Sequence, residues 1–284
     1  MTKGQLKAKK AIDFIQYLKH TKGIWKGVQF DLLDWQNEII ENIYGTLKPD
    51  GNRLYNTAYV ELPKKNGKSE LGAAVALNLT CADDEWAAEV YGCASERQQA
   101  SIIFDVAVDM VDQEPELRKV IKPILSVKRL VYLPTKSFYQ VCSSEAFSKH
   151  GLNVHACIFD ELHAQPNRDL WDVMTKYAGD ARMQPLNFVM TTAGDDPDRS
   201  SIGWEIHQKS LDVISGVKKI PNWYAKIYGV DEEADWTDEA NWIKANPSIG
   251  HNLRMETFRA AFIEAQQSEA DESAHFEELV CLVE

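Results

Sequence analysis

A glycine-lysine-serine turn set between an apolar strand and a helix constrains this chain more than any other feature. Thr57-Ala58-Tyr59-Val60-Glu61-Leu62 has the β-branched and aromatic content of a strand, and residues 70–79 read as a helix. Between them stand Pro63-Lys64-Lys65-Asn66-Gly67-Lys68-Ser69. A strand that turns through glycine straight into a helix offers backbone N–H groups at a helix N-terminus, where an anion binds. A nucleotide triphosphate further needs a lysine on its β and γ phosphates and a hydroxyl on Mg²⁺, and Lys68 and Ser69 supply these next to Gly67. The common pattern G-x-x-x-x-G-K-[ST] would place glycine at position 62, where this chain has Leu62. The loop alone is therefore weak evidence.

A second element strengthens it. Ala156-Cys157-Ile158-Phe159 is a hydrophobic strand that ends in Asp160-Glu161. An acid there suits the metal's water shell, and the next acid suits polarising the water that attacks the γ-phosphate. Acids at strand ends also cap following helices, but the paired occurrence with Lys68 favours the chemical reading. Lys64 and Lys65 put two further cations in the loop. Lys64 is a candidate for a transition-state contact to the γ-phosphate, and Lys65 reads better as a solvated loop lysine. Gln36, in Trp35-Gln36 at a helix start, has the donor and acceptor to read an adenine edge. Thr191 and Thr192 close the strand at residues 186–191 and are placed to sense the γ-phosphate.

The remaining pattern is helices at 9–18 and 33–44, a strand at 89–93, a helix at 96–111, a hairpin of 130–133 with 138–142, and a helix at 169–177. Strands alternating with helices predict an α/β fold, a P-loop NTPase of RecA/ASCE-like type with a mainly parallel sheet flanked by helices. Beyond Gly194 the chain becomes acidic and mostly helical, with 223–227 the one strand candidate. The expected division is a P-loop ATPase domain over 1–200 and a small helical C-terminal subdomain over 201–284.

With 31 Lys and Arg against 43 Asp and Glu, a net charge of −12, the surface as a whole is not a nucleic-acid footprint. Local DNA contact stays open, since basic residues gather before Lys26 and around Arg118, Lys119, Lys122, Lys128, Arg129 and Lys136. No apolar run approaches the roughly 20 residues of a membrane span, and the basic start lacks a signal peptide's apolar core. The five scattered cysteines have no zinc spacing and read as reduced thiols. These features point to an intracellular protein.

Trp35-Gln36, Lys64-Lys65-Asn66-Gly67-Lys68-Ser69, Ser95-Glu96-Arg97-Gln98-Gln99-Ala100, His150-Gly151-Leu152 ahead of Asp160-Glu161, Thr191-Thr192-Ala193-Gly194 and Ala245-Asn246-Pro247-Ser248-Ile249-Gly250 occur in that order. Over residues 25–250 the chain thus resembles the ATPase part of the large subunit of tailed-phage terminases. The resemblance implies a motor that hydrolyses ATP with Mg²⁺ to drive double-stranded phage DNA through a portal into a procapsid, in the host bacterial cytoplasm. It implies a ring of copies on the capsid, the portal protein and the terminase small subunit as partners, and no membrane. Carried onto this sequence, it makes Gln36 the adenine reader and Lys68 and Ser69 the Walker A pair, with Lys65, Asn66 and Gly67 also at the nucleotide. Asp160 and Glu161 become the Walker B aspartate and catalytic glutamate, and Thr191 and Thr192 the coupling motif. Lys64 stands where the family often has arginine, and lacks the planar fork that suits a finger role. Arg97, Lys149 and Arg182 are further candidates for a sensor or trans-acting cation.

The family carries an RNase H type nuclease after its linker subdomain. Fewer than 40 residues follow Asn246-Pro247 here, so the expectation is an expressed fragment or truncated product without nuclease activity. Asp160-Glu161-Leu162-His163 also reads as the DExH box of a helicase. Helicases of that kind close their site with a second RecA-like domain, for which the last 90 or so residues show no βαβ pattern. A folded but inactive relic is the third reading, weakened by the presence of every predicted catalytic residue.

Overall fold

The computed structural model describes residues 1–142, 152–176, 181–193, 196, 198–231, 234–235, 237–265 and 282–283. In chain order, α1 (Lys3–Tyr17) and α2 (Asp34–Gly45) precede β1 (Thr57–Glu61) and α3 (Lys68–Cys81). Next come β2 (Glu89–Cys93), α4 (Arg97–Gln113), α5 (Pro115–Val120), and the strands β3 (Ile121–Ile124), β4 (Arg129–Tyr132) and β5 (Ser137–Cys142). Then follow β6 (Val154–Asp160), α6 (Asp169–Lys176), β7 (Leu186–Thr191), α7 (Ile202–Ile214), β8 (Trp223–Ile227), α8 (Glu239–Ala245) and α9 (Met255–Ala265).

Local chemistry accounts for several boundaries. α1 begins earlier than its apolar repeat, because Thr2 and Gln5 cap it reciprocally. β3, not anticipated from sequence, contains Pro123 and lies at the sheet edge, where a missing N–H costs no ladder bond.

These eight strands form one sheet in the order β3-β4-β5-β2-β6-β7-β1-β8, and residues 230–231 pair separately, in parallel, with 282–283. From β5 across to β8 every pairing is parallel, while β4 runs antiparallel to both β3 and β5. Both faces are covered, so the period-2 alternation divides each strand between two apolar layers. Ala58, Val60, Ala156, Ile158, Phe188 and Met190 pack under α1 to α4. Tyr59, Cys157, Phe159 and Val189 pack on the other face with Trp171, Ile202 and Ile206 of α6 and α7. The sheet therefore continues past residue 200, since α7 covers it and β8 pairs with β1. The part with a small core of its own lies later, where Trp242, Leu253 and Phe258 pack with Ile249, Met255 and Phe262. No described helix is long and apolar enough to cross a membrane.

At the edge where the parallel strands begin, a buried ionic cluster ties the layers together. Arg53 grips Asp83 with two N–H groups at 3.1 and 2.9 Å and donates to the Gln184 carbonyl at 2.5 Å. His155 Nε2 contacts the same Asp83 carboxylate at 2.8 Å. Replacing one member of such a pair strands the other charge in the interior. Arg53→Leu should cost about 3–5 kcal/mol, read as a shift in urea midpoint at unchanged m-value.

Candidate functional site

The parallel register places the C-terminal ends of β1, β7 and β6 side by side, and the chain leaves each of them with polar residues. After β1, Leu62 N donates to the Thr191 carbonyl at 3.1 Å, which extends the pairing by one residue. Leu62 is itself fully buried in the layer beneath α3, so this position belongs to the core. The loop then turns through Lys65 at φ 68° and Gly67 at φ 91°, and α3 starts at Lys68. The left-handed conformation at Gly67 favours glycine. It brings the loop beside Gln36, whose Nε2 lies 3.9 Å from where a Cβ on Gly67 would stand.

Gln36 is buried, and its Oε1 accepts from Leu33 N at 3.0 Å, capping α2. Lys68 is buried too, and its Nζ donates to the Leu62 carbonyl at 3.0 Å and the Pro63 carbonyl at 3.4 Å. The same Nζ stands 3.7 Å from Glu161 Oε1. Ser69 is half-buried in the first turn of α3, and Lys64 and Lys65 are exposed on the loop.

Across β7, β6 ends at Asp160, whose Oδ2 accepts from Gln99 Nε2 of α4 at 3.0 Å. Burial pushes the Asp160 pKa up, and the adjacent Glu161 charge adds to this. Gln99, Lys68 and the Glu161 N–H only partly offset them, which leaves it at about 6. Glu161 takes a left-handed φ of 49°, and its N–H donates to the Met190 carbonyl at 3.1 Å. Its Oε2 accepts from Thr192 N at 3.1 Å and Thr192 Oγ1 at 3.0 Å. Thr191 Oγ1 donates to the Thr192 carbonyl at 3.0 Å.

His163 completes this group. Its Nδ1 is 3.1 Å from Thr191 Oγ1 and 3.3 Å from Glu161 Oε2. Burial lowers its pKa against the opposing pull of Glu161, so the ring is neutral at pH 7. Because the Thr191 hydroxyl proton is directed at a carbonyl, the consistent tautomer carries its proton on Nδ1. Gly203 makes the placement possible: a Cβ there would lie 2.6 Å from His163 Cα, so α7 packs directly on the turn that carries the histidine.

The structure thus gathers Lys68, Asp160, Glu161, Thr191 and Thr192, with Gln36 at the loop. Arg97 is exposed at the start of α4, on the edge that carries the site. Arg182 does not belong to it. Its guanidinium donates to Glu85 at 2.9 Å and to the carbonyls of Trp86, Ala87 and Asn153, before the starts of β2 and β6, and it is buried there. This fully engaged fork lies at the edge opposite Lys68 and Asp160 of the same chain. Lys149 lies outside the described residues.

Three contacts were not anticipated from the sequence. Gln99 lies inside a motif that carried the resemblance and His163 inside the string that also reads as a DExH box, but neither pattern assigned them partners. Glu61, 1% exposed at the end of β1, accepts from the Tyr59 hydroxyl and contacts His207 Nδ1 of α7 at 2.8 Å. Tyr59 and Glu61 share a strand face by their spacing of two, a signal that was available.

The description "Terminase large subunit, ATPase domain" belongs to a family model that matches residues 34–207. The "Terminase, large subunit" of Enterobacteria phage HK97 is 30% identical over 274 residues, covering 95% of this chain and 50% of that protein. "Protein YmfN" of Escherichia coli (strain K12) is 32% identical over 124 residues, covering 44% of this chain and 26% of that one. The crystal structure of the HK97 bacteriophage large terminase superposes with a TM-score of 0.81 at 24% identity, over 98% of this chain and 55% of that one, which establishes a shared fold. The chain therefore spans about half the length of the HK97 protein.

The raised Asp160 pKa has a consequence for stability. Its folded value of about 6 exceeds the ordinary 3.8, so the folded state binds the proton more tightly and stability falls as pH rises from about 4 to about 6. Asp160→Asn removes the buried charge. In metal-free buffer at pH 8 the variant should melt about 2–6 °C above the parent, and the difference should vanish near pH 4, as followed by circular dichroism.

Proposed function

This chain belongs to the family of terminase large-subunit ATPase domains, and on that premise we propose that it hydrolyses ATP to drive double-stranded viral DNA into a procapsid. The observation that carries the reading is the convergence of Lys68, Asp160, Glu161 and Thr192 at one sheet edge, with Lys68 Nζ 3.7 Å from Glu161. Lys68 spends its N–H groups on loop carbonyls, an arrangement that phosphate oxygens can replace. Two adjacent carboxylates facing one ammonium, one of them buried with a raised pKa, form a hard oxygen donor set suited to a divalent cation. The Ser69 hydroxyl and the Asp160 carboxylate would hold Mg²⁺, which when bound neutralises charge on the β and γ phosphates.

In the proposed mechanism the N–H groups at the start of α3 and the Lys68 ammonium receive the phosphates, and Gln36 reads the adenine edge. Glu161 leaves Lys68 and orients the attacking water as its proton acceptor. Thr192, which holds the Glu161 carboxylate through two hydrogen bonds, keeps that base in register. Thr191 and His163 stand behind it and link the state of the site to α7. Lys64 or Arg97 is the cation proposed to approach the γ-phosphate in the transition state, within one subunit or across a ring of copies. Double-stranded DNA, the portal protein and the terminase small subunit are the proposed partners. A helicase of the DExH class is disfavoured, because the described residues beyond 200 add one edge strand and helices to the first sheet and otherwise only a two-residue pairing of 230–231 with 282–283, far short of a second RecA-like sheet.

Steady-state hydrolysis with and without double-stranded DNA tests both halves. Glu161→Gln should keep ATP binding and lose at least about 100-fold in turnover; parental turnover would remove Glu161 from its role. Absence of DNA stimulation, in this chain and in a version extended to the length of the HK97 protein, would sink the packaging reading and leave an ATPase.

A further inference from the structure

The phosphate loop is held from behind by a segment that lies 180 residues later in the chain. Asn66 is completely buried, and its side-chain amide is shared among the carbonyls of Pro63 at 3.2 Å and Lys64 at 3.4 Å and Asn246 Oδ1 at 2.8 Å. Its Oδ1 accepts from Ser248 N at 3.3 Å, and its main-chain carbonyl accepts from Ser248 Oγ at 3.0 Å. One residue earlier, the Lys65 carbonyl accepts from Asn252 Nδ2 at 2.9 Å.

The donor and acceptor roles close without conflict. Asn246 Nδ2 donates to the Trp242 carbonyl at 3.2 Å, which turns its Oδ1 toward Asn66. Ser248 Oγ, donating to Asn66, accepts in turn from Trp35 Nε1 at 3.1 Å, and Trp35 precedes Gln36 in α2. The segment engages carbonyl groups of the loop and the Asn66 side chain. A phosphate recruits main-chain N–H groups, so the two sets of partners do not compete. Lys65 holds a left-handed φ of 68° between these anchored carbonyls, a conformation that needs surrounding contacts to persist.

We infer that residues 246–252 are a clasp that pre-shapes the phosphate loop for nucleotide, with Asn246, Ser248 and Asn252 as positioning residues acting through Asn66 and Lys65. The clasp is also a mechanical connection. Ile249 and Leu253 anchor it in the small apolar core with Trp242 of α8 and Phe258 of α9, so a displacement of the loop is passed to that unit directly, by a route separate from Thr191 and Thr192. Linkage makes the coupling reciprocal: whatever the clasp adds to nucleotide affinity, bound nucleotide adds to the closure of the clasp.

This inference rests on the ATPase reading for its purpose, and its test is separable from that reading. Amide exchange of residues 64–67 in the nucleotide-free chain reads the clasp whether or not ATP is turned over, and it should accelerate about 10-fold or more in Ser248→Ala. Asn252 is exposed, so Asn252→Ala leaves the buried core intact and should show the same acceleration to a smaller degree. With MgATP, both variants should raise KM, by about 10-fold and about 3-fold, while kcat changes less than about 2-fold. A non-hydrolysable ATP analogue should slow exchange at Ser248, His251 and Leu253 in the parent but not in Ser248→Ala. Unchanged exchange at 64–67 in both variants, or a nucleotide-indifferent segment 246–253 in a parent that hydrolyses ATP, would overturn the clasp. A parent that does not hydrolyse ATP would overturn the ATPase reading, and the nucleotide-free exchange would still decide the clasp.

Discussion

Parallel pairing of β1 and β6 onto the two sides of β7 brings three strand ends to one edge, and the remaining architecture serves that arrangement. A parallel sheet needs crossover helices on its faces, and the small side chains of α3 let the helix that follows the phosphate loop lie almost wholly buried between the sheet and its neighbours. Burial of α3 fixes the direction of its N-terminus. Lys68 consequently meets the acids at the end of β6 from the far side of β7.

The site itself is a set of charges kept in check by one another. Asp160 and Glu161 are adjacent carboxylates near a single ammonium, and burial together with mutual repulsion raises the Asp160 pKa. Glu161 is held by Thr192 and by the nearby Lys68, so the groups proposed as base and phosphate-binding cation occupy each other in this structure. In the proposed mechanism a polyanion would take Lys68 from Glu161, and the release of Glu161 would then follow from electrostatics.

Much of this was legible in the chain. Strand alternation, the Gly67-Lys68-Ser69 turn and the Asp160-Glu161 strand end are local patterns, and each of those elements formed where its residues indicated. Leu62, an irregularity in the loop pattern, proved to be a core residue, because β1 pairs one residue beyond its formal end and turns that side chain under α3. Arg182 illustrates the opposite case. A cation's reach depends on which edge of the sheet it emerges from, and Arg182, four positions before β7, stands at the edge opposite Lys68 and Asp160.

The sequence by itself determined the layers, the glycine turn and the placing of an acid pair and a lysine at two strand ends, because these follow from periodicity and from chemistry confined to a few neighbouring residues. The tertiary structure alone decided that His163 meets Thr191, that Glu61 meets His207, and that Asn66 is gripped by Asn246 and Ser248. Those contacts join segments up to 182 residues apart. A hydrogen bond carries no trace in the spacing of either partner, so only the packing of helices on the sheet could bring them together.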